Sequence, residues 1–206
     1  MTDEQAALAQ RLAQGLAPVL SLVLCAGVAA SLFAAPGVEG LLGAFLAALM
    51  LAIATTDARS YRIPNELTAA AFALALLRAL AIGPEPGAEA VLWTALRALA
   101  VALPLLALMM LYRRWRGRDG LGLGDIKLAA VAGAWLDLVT VAVVIELAAL
   151  AAISAYVLNA ALQRKPLSAT AFLPFGLFLA PAIWLGWLGE NMAAGWVVDW
   201  LSLWFH

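Results

Sequence analysis

Long uncharged stretches separated by short polar connections are the dominant pattern of this sequence. A membrane-crossing helix needs about 20 apolar residues. Stretches that approach or exceed this length, with at most one charge each, are Leu16–Pro36, Gly40–Thr56, Leu67–Gly83, Ala90–Tyr112, Leu138–Gln163 and Pro166–Gly189. A shorter stretch, Ile126–Leu136, is expected to form a short or partly buried helix. The pattern predicts an all-α fold: a polytopic transmembrane bundle of six to seven helices.

Composition excludes the class of soluble globular proteins. Hydrophobic residues make up 66% of the chain and charged residues 12%, whereas soluble domains average about 45–50% and about 25%. The formal net charge of −1 argues against a nucleic-acid partner. Membrane lipids are therefore the surroundings that we expect for most of the surface, and the sequence leaves the oligomeric state undetermined.

The chain is predicted to be a single membrane domain, 1–206, because no soluble appendage or repeat interrupts the apolar pattern. Its parts are an extra N-terminal helix, 7–35, a core, 40–189, and a Trp-rich tail, 190–206, at the outer interface. The N-terminal run is expected to be a membrane helix and not a signal peptide, because it is longer than a signal peptide's apolar region and its flank is acidic as well as basic.

Basic residues predict the orientation, because they collect in alternate connections and cytoplasmic loops carry an excess of Lys and Arg. The residues concerned are Arg11, Arg59, Arg62, Arg113, Arg114, Arg116, Arg118, Arg164 and Lys165. The connections between these, around 36–39, 83–89 and 137, hold no Lys or Arg. The N-terminus and the basic connections are therefore expected to face the cytoplasm.

Two aspartates lie at membrane edges on this same side. Asp57 ends the second apolar stretch and Asp125 opens the short helix, two crossings later. Structural explanations exist for both: Asp125 could be a helix N-cap, and Asp57 could pair with Arg59 or Arg62. A carboxylate at a helix C-terminus opposes the helix dipole, however, and carboxylates near a membrane are costly and often functional.

The alternative is that the two aspartates form a catalytic dyad. Facing carboxyls share one proton, so the ionised one can activate water while the protonated one polarises a peptide carbonyl. Gly122 and Gly124 would let a substrate strand approach Asp125 closely. With one cysteine, Cys25, and one histidine, His206, the chain is expected to need no metal and no cofactor.

Three segments resemble the prepilin peptidases, the GxGD membrane aspartic proteases that remove leader peptides from type IV prepilins. Asp57 followed by RIPNELT (62–68) is similar to the family's Asp…IPN-L-T segment, and GLGDIKL (122–128) to its GxGDxKL helix. LPFGLFLA (173–180) is similar to its late PFGPFLA segment, with Leu177 where Pro is usual.

The resemblance implies that Asp57 and Asp125 are the catalytic pair of an aspartic endopeptidase in the bacterial cytoplasmic (inner) membrane. The substrate would be a prepilin or pseudopilin, cut at the cytoplasmic face after a short basic leader, with its apolar helix in the bilayer. Larger members carry a zinc-binding insert linked to N-methylation. The single cysteine therefore predicts a peptidase without methyltransferase activity, like the short forms associated with Flp-type (tight-adherence) pili.

Further residues of the three segments are candidates for binding substrate or supporting the active site: Gly122, Gly124, Lys127, Pro64, Asn65, Pro174, Phe175 and Gly176. Structural roles remain open for several. Lys127 could simply extend to the membrane interface, Pro64 could begin a helix, and the late Pro and Gly residues could form an ordinary kink.

Two buried charges also need an explanation. Arg97 and Glu146 lie at similar depths in their stretches, and we expect them to form a structural ion pair. A competing class for the whole chain is a non-enzymatic membrane transporter or a pilus or secretion assembly subunit, in which Asp57 would bind an ion and the GLGLGD segment would act as a hinge.

Overall fold

The computed structural model describes the backbone of residues 3–82, 86–117, 120–164, 166 and 173–204, and the side chains of these stretches between residues 17 and 194. The described residues form seven helices and no strand. The helices are α1 (Asp3–Ala34), α2 (Val38–Ser60), α3 (Asn65–Ala81), α4 (Ala88–Arg116), α5 (Leu123–Trp135), α6 (Leu138–Leu162) and α7 (Gly176–Trp204). The prediction of an all-α bundle of six to seven helices is confirmed, and the short stretch counts as a helix.

Four of the described helices are long and apolar enough to cross a membrane: α2, α4, α6 and residues Ala17–Ala34 of α1. The helix α7 continues through Trp204, so the tail begins within it. Side chains from residue 195 onwards lie outside the described residues. The interfacial tail, and the division of the chain into 7–35, 40–189 and 190–206, stay predictions.

The short helix α5 is the most buried element and packs against α3, α4 and α7. Leu128, Val131 and Trp135 are fully or almost fully buried. A side chain at Gly133 would meet the Arg97 carbonyl oxygen at 2.9 Å, so glycine allows α4 to approach closely. The Trp135 indole N–H donates to the Ala71 carbonyl of α3 at 2.9 Å. Packing against α3, α4 and α7 therefore fixes the position of α5 in the bundle.

The extra N-terminal helix α1 packs against α2 and α7. Gly27 lies so close to α2 that an added Cβ would be 3.4 Å from the Ala47 Cβ. Ser31, which is fully buried, accepts a hydrogen bond from the Trp184 indole of α7 at 3.0 Å. Both α2 and α7 contribute to the inner end of the bundle, so the packing of α1 against them helps to hold them in place.

A charged cluster joins helices near the predicted outer end. Glu39 in the first turn of α2 accepts hydrogen bonds from Arg78 Nε of α3 at 2.7 Å and from the Trp187 indole of α7 at 3.1 Å. The Arg78 guanidinium lies 5.6 Å from the centroid of the Trp135 ring, a favourable cation–π distance. Opposite charges therefore hold α2, α3, α5 and α7 together; we call these four side chains the outer cluster.

The expected pair between Arg97 and Glu146 is wrong. Arg97 instead contacts Asp137, at the junction of α5 and α6, with 3.4 Å between its Nη1 and Oδ1. Glu146 is exposed on α6. Depth alone suggested Glu146, but the rotation of α6 about its axis directs that side chain away from the α5–α6 junction.

Candidate active site

Three helix ends meet at the predicted cytoplasmic end of the bundle. They are the C-terminal end of α2, which carries Asp57, and the N-terminal ends of α5 and α7, which carry Asp125 and Gly176. An added Cβ on Gly176 would lie 2.9 Å from Asp57 Oδ2, so only glycine lets α7 begin this close to the carboxylate. Segments far apart in sequence are thereby brought to one place.

Asp57 is buried, with 4% of its surface exposed, one turn before α2 ends. The Tyr61 N–H closes that turn on the Asp57 carbonyl oxygen at 2.8 Å, and Tyr61 adopts a left-handed conformation (φ 54°). The Asp57 carboxylate accepts the Leu177 backbone N–H at 3.0 Å. This neighbour differs from the Arg59 or Arg62 considered as partners from the sequence. A donated N–H favours the ionised carboxylate over the neutral one.

Asp125 is the third residue of α5, because the N-cap is Gly122; the interpretation of Asp125 as the N-cap is wrong. Burial, and after it the charge of Asp57, raise the pKa of Asp125 to about 6, while a hydrogen bond from the Gly122 backbone opposes the shift. Loss of water from around the carboxylate and repulsion by a second carboxylate both favour the protonated form. The electrostatic influence of Asp57 indicates that the two carboxyl groups face a common space.

Lys127 and Asn65 contact one another beside the aspartates. The Lys127 ammonium donates to the Asn65 side-chain oxygen at 2.7 Å, joining the first turns of α5 and α3. Pro64 is the N-cap of α3, with φ −62° and ψ 135°, so it precedes the helix that it was expected to begin. The structure therefore brings the Pro64-Asn65 segment into contact with the GxGDxKL helix, through Asn65 and Lys127.

The late segment reaches the same place. Phe175 packs against the hydrophobic core, and the carbonyl oxygens of Pro174 and Phe175 accept the first backbone hydrogen bonds of α7, from Leu177 at 3.3 Å and Phe178 at 3.0 Å. Pro174, Phe175 and Gly176 thus form the start of a helix directed at Asp57, and Pro181 lies inside that helix, so a kink of the helix stays a prediction.

Ile63 and Leu177 are two members of this site that were not among the candidate site residues, although Leu177 stands where the resembling segment usually has proline. An added Cβ would lie 3.1 Å from Ile63 Cβ at Gly124 and 2.8 Å from Ile63 Cδ1 at Gly176. Ile63 therefore separates the N-termini of α5 and α7 and sets their spacing. The position of Ile63 directly before Pro64, within the quoted segment, could have identified it. The contact of Leu177 with Asp57 uses the backbone N–H of Leu177, so the type of side chain at 177 could not have predicted it.

Two carboxyl groups in different environments are suited to acid–base chemistry without a metal. Among the residues that the structure describes, no three His, Cys, Asp or Glu side chains converge as metal ligands would. Gly122 lies against Asp125, where an added Cβ would be 3.0 Å from Oδ2. Glycine therefore lets the backbone approach both carboxyl groups closely, Gly122 at Asp125 and Gly176 at Asp57.

A family model for the type IV leader peptidase family matches residues 44–158, a range that includes Asp57, Asp125 and more than half of the chain. The chain belongs to the type IV leader peptidase family. This membership confirms the resemblance to prepilin peptidases drawn from the three segments.

Curated relatives within this family carry the name prepilin leader peptidase/N-methyltransferase. The Klebsiella pneumoniae protein is 38% identical over 109 residues, covering 53% of this chain and 46% of its own length. The Aeromonas salmonicida protein is 31% identical over 188 residues, covering 89% of this chain and 60% of its own. Leader peptidase HopD of Escherichia coli is 39% identical over 92 residues, covering 45% of this chain and 51% of its own. The chain thus spans about half to three fifths of these leader peptidases, and no solved structure matches it.

Proposed function

We propose that this leader-peptidase-family member is an aspartic endopeptidase that cuts the leader from type IV prepilins or pseudopilins, with Asp57 and Asp125 as its catalytic pair. The observation that carries the proposal is the meeting of Asp57, Asp125 and Leu177 at one end of the bundle. Family membership supports leader cleavage, and the carboxylate pair supplies a route to it.

The two carboxyls are assigned different roles by their surroundings. Asp57 accepts the backbone N–H of Leu177, a hydrogen bond that a carboxylate can accept, and we assign it the removal of a proton from the attacking water. Asp125, with its pKa raised to about 6 by burial and by the Asp57 charge, keeps a proton and donates it to the carbonyl oxygen of the peptide bond. The water oxygen then bonds to the carbonyl carbon.

The tetrahedral intermediate collapses by the reverse use of the same groups. Asp57, now protonated, gives its proton to the leaving amide nitrogen as the C–N bond breaks, and Asp125 recovers its proton from the hydroxyl oxygen that becomes the new carboxyl group. Each carboxyl ends in its starting state, and no cofactor takes part. Lys127 and Asn65, held together at 2.7 Å, are proposed to contact the substrate backbone beside this pair.

The active site is proposed to face the cytoplasm in a bacterial inner membrane, with the N-terminus on that side. Support comes from the arrangement of charge: Asp57, Asp125 and the arginines of the last turn of α4 all lie at the ends of helices predicted to be cytoplasmic. Basic residues retained on that side follow the usual orientation of membrane proteins.

The finer substrate class is proposed to be the Flp-type prepilins of tight-adherence pili, with no methyl transfer. The chain has one cysteine, and that residue, Cys25, is exposed on α1, away from the two aspartates. Paired zinc-binding cysteines of the kind linked to N-methylation cannot be built from one thiol.

A cleavage assay in membranes tests the proposal. The size of a co-expressed Flp-type prepilin is followed with the unaltered protein and with Asp57→Asn and Asp125→Asn, and Asp137→Asn is the matched control because Asp137 is 78% exposed on its side chain. Each dyad substitution is expected to slow cleavage by about 10²–10⁴-fold, the usual contribution of acid–base catalysis. Processing by well-expressed dyad variants would contradict the mechanism, and failure of the unaltered protein on every prepilin would favour the transporter or assembly-subunit reading.

A further inference from the structure

An apolar groove of about 620 Å³ lies between α6 and α7. Its walls include Val143, Leu147 and Leu185, which are exposed to the surroundings of the bundle. The groove is therefore open toward lipid along its side. None of the residues identified in the preceding subsections as binding or catalytic side chains lines it.

The groove begins beside the catalytic pair. Leu177 lines its inner end, and the backbone N–H of the same residue donates to Asp57 Oδ2 at 3.0 Å. The outer end reaches Gly189 and Glu190, twelve residues further along α7, which corresponds to about 18 Å of helix. A molecule held in the groove would therefore start at the carboxylates and extend across much of a bilayer of about 30 Å.

Small residues make the walls shallow enough for a helix backbone to lie against them. Ala148 and Ala151 of α6 and Ala182 and Gly189 of α7 all line the groove, and small residues are typical of helix contacts in membranes. An added Cβ on Gly189 would meet nothing within 4 Å, whereas one on Gly186 would lie 2.7 Å from Val144 Cγ2. Gly186 is needed where α6 and α7 touch; Gly189 leaves space that the fold itself does not use.

Charge in the groove favours an apolar occupant. Apart from Thr140, the polar side chain of the lining is Glu190 at the outer end, and its Oε1 accepts the backbone N–H of Asp137 at 2.9 Å. That hydrogen bond caps the start of α6 and occupies the carboxylate. No charged lining residue lies between Leu177 and Glu190, so the interior of the groove excludes a basic leader and admits an apolar segment.

We infer that the α6–α7 groove holds the apolar helix that directly follows the cleaved bond of the substrate. This inference rests on the proposed function, because it takes the carboxylates as the place of cleavage. The groove then acts as a second binding site: the helix lies along α7, and its start is presented to Asp57 and Asp125 beside Leu177.

The first test fills the groove far from the carboxylates. Gly189→Leu places a side chain in the open space, and Ala142→Leu is the control, since Ala142 is exposed on α6 at a similar depth but does not line the groove. Two substrates are compared in proteoliposomes: a whole Flp-type prepilin and a short peptide that ends a few residues after the cleavage site. Gly189→Leu is expected to lower the preference in kcat/KM for the whole prepilin by about tenfold, the usual effect of overpacking one contact, and Ala142→Leu is expected to leave it unchanged. An unchanged preference in Gly189→Leu, or an equal loss on both substrates, would overturn the inference.

The second test does not depend on cleavage. In a Cys25→Ala background, Gly189→Cys or Ala142→Cys is combined with Asp125→Asn and oxidised together with prepilins that carry one cysteine at successive helix positions. Gly189→Cys is expected to form a disulfide most strongly with a cysteine about 12 residues after the cleavage site, from the rise of 1.5 Å per residue. Equal or absent cross-linking at Gly189→Cys and Ala142→Cys would mean that lipid fills the groove and would overturn the inference. Position-specific cross-linking at Gly189→Cys, together with no cleavage of any prepilin by the protein that keeps Asp125, would contradict the proposed function and show only that the groove binds a prepilin helix.

Discussion

The two ends of the bundle both bury charge, but in opposite ways. At the outer cluster, the carboxylate of Glu39 receives the guanidinium of Arg78 at 2.7 Å and an indole N–H at 3.1 Å. At the inner end, Asp57 and Asp125 are two like charges whose hydrogen bonds come from backbone, at Leu177 and Gly122. The outer end pairs opposite charges through Glu39 Oε1, although Glu39 Oε2 is buried without a hydrogen-bond partner among the described residues, and the inner end leaves a repulsion in place.

The difference separates stability from chemistry. Paired opposite charges offset part of the cost of their burial, and removing one partner of such a pair is strongly destabilising. Buried like charges cost stability in the folded state, but they keep one proton between them, which is the condition for acid–base catalysis. We therefore expect substitutions at the outer end to affect folding and substitutions at the inner end to affect rate.

Removing Arg78 should produce the largest loss of stability. Arg78→Gln leaves Glu39, whose side chain is 17% exposed, without its cation, and the cost approaches the value for a buried pair, at most about 3–5 kcal/mol. The measurement is thermal unfolding of the purified protein in detergent or nanodiscs. Arg97→Gln is the control, because the Arg97–Asp137 contact is longer, at 3.4 Å, and Asp137 is largely exposed; its loss should cost less than about 1 kcal/mol. Equal effects of the two substitutions would remove the distinction between the outer cluster and an ordinary surface pair.

Asp125→Asn should stabilise the protein while it stops cleavage. Because burial raises the pKa of Asp125 from 3.8 to about 6, the folded state binds the proton more tightly than the unfolded state. Stability therefore falls as pH rises from about 4 to 6 and stays low above that range. The gain from Asp125→Asn should be at most about 3 kcal/mol at pH 8 and should vanish below pH 4.

The measurement for Asp125→Asn is the unfolding temperature as a function of pH, with Asp137→Asn as the exposed control. A gain that is the same at pH 4 and pH 8, or a loss at pH 8, would mean that Asp125 carries no charge penalty in the folded protein. The inner end would then bury no repulsive charge, and the proposed contrast with the outer cluster would be wrong.

Leu177→Pro should have the smallest effect, on the pH dependence of rate. Proline removes the N–H that Asp57 accepts, and the second residue of a helix tolerates its ring. Loss of this hydrogen bond to a charged group is expected to lower kcat/KM at pH 6 by about fivefold to tenfold, and less at pH 8, where the carboxylate ionises readily. Leu177→Ala keeps the N–H and shortens the side chain, so an equal pH dependence in both variants would argue against a role for the amide.

The sequence was sufficient for the helices and for most of the site, and the reasons for its failures are physical. Uncharged stretches predicted α2, α4 and α6 because length and apolarity are what a membrane selects. Motifs brought Asn65 and Asp125 into one hypothesis. The contact between Leu177 and Asp57 joins residues 120 positions apart. Its donor is the backbone N–H of Leu177, so no pattern of side chains predicts it. The partner of Arg97 depended on helix rotation, which a match in depth cannot supply.

The departure at position 177 also has a structural meaning. Where the resembling segment usually has proline, this chain has leucine, and the additional N–H contacts Asp57. A residue that looks like a lost motif position therefore adds a hydrogen bond that proline could not donate.

The pair of Glu39 and Arg78 links residues 39 positions apart, so the ribosome delivers the acid well before the base. The turn between α1 and α2 is so tight that a Cβ on Gly40 would collide with the Ala35 carbonyl oxygen, so these two helices form a close hairpin. Until α3 is made, that hairpin carries an acid without its partner, and an unpaired carboxylate resists transfer into lipid. We therefore expect the outer end to assemble in order, with the hairpin reaching its final depth only when the third helix arrives to neutralise Glu39.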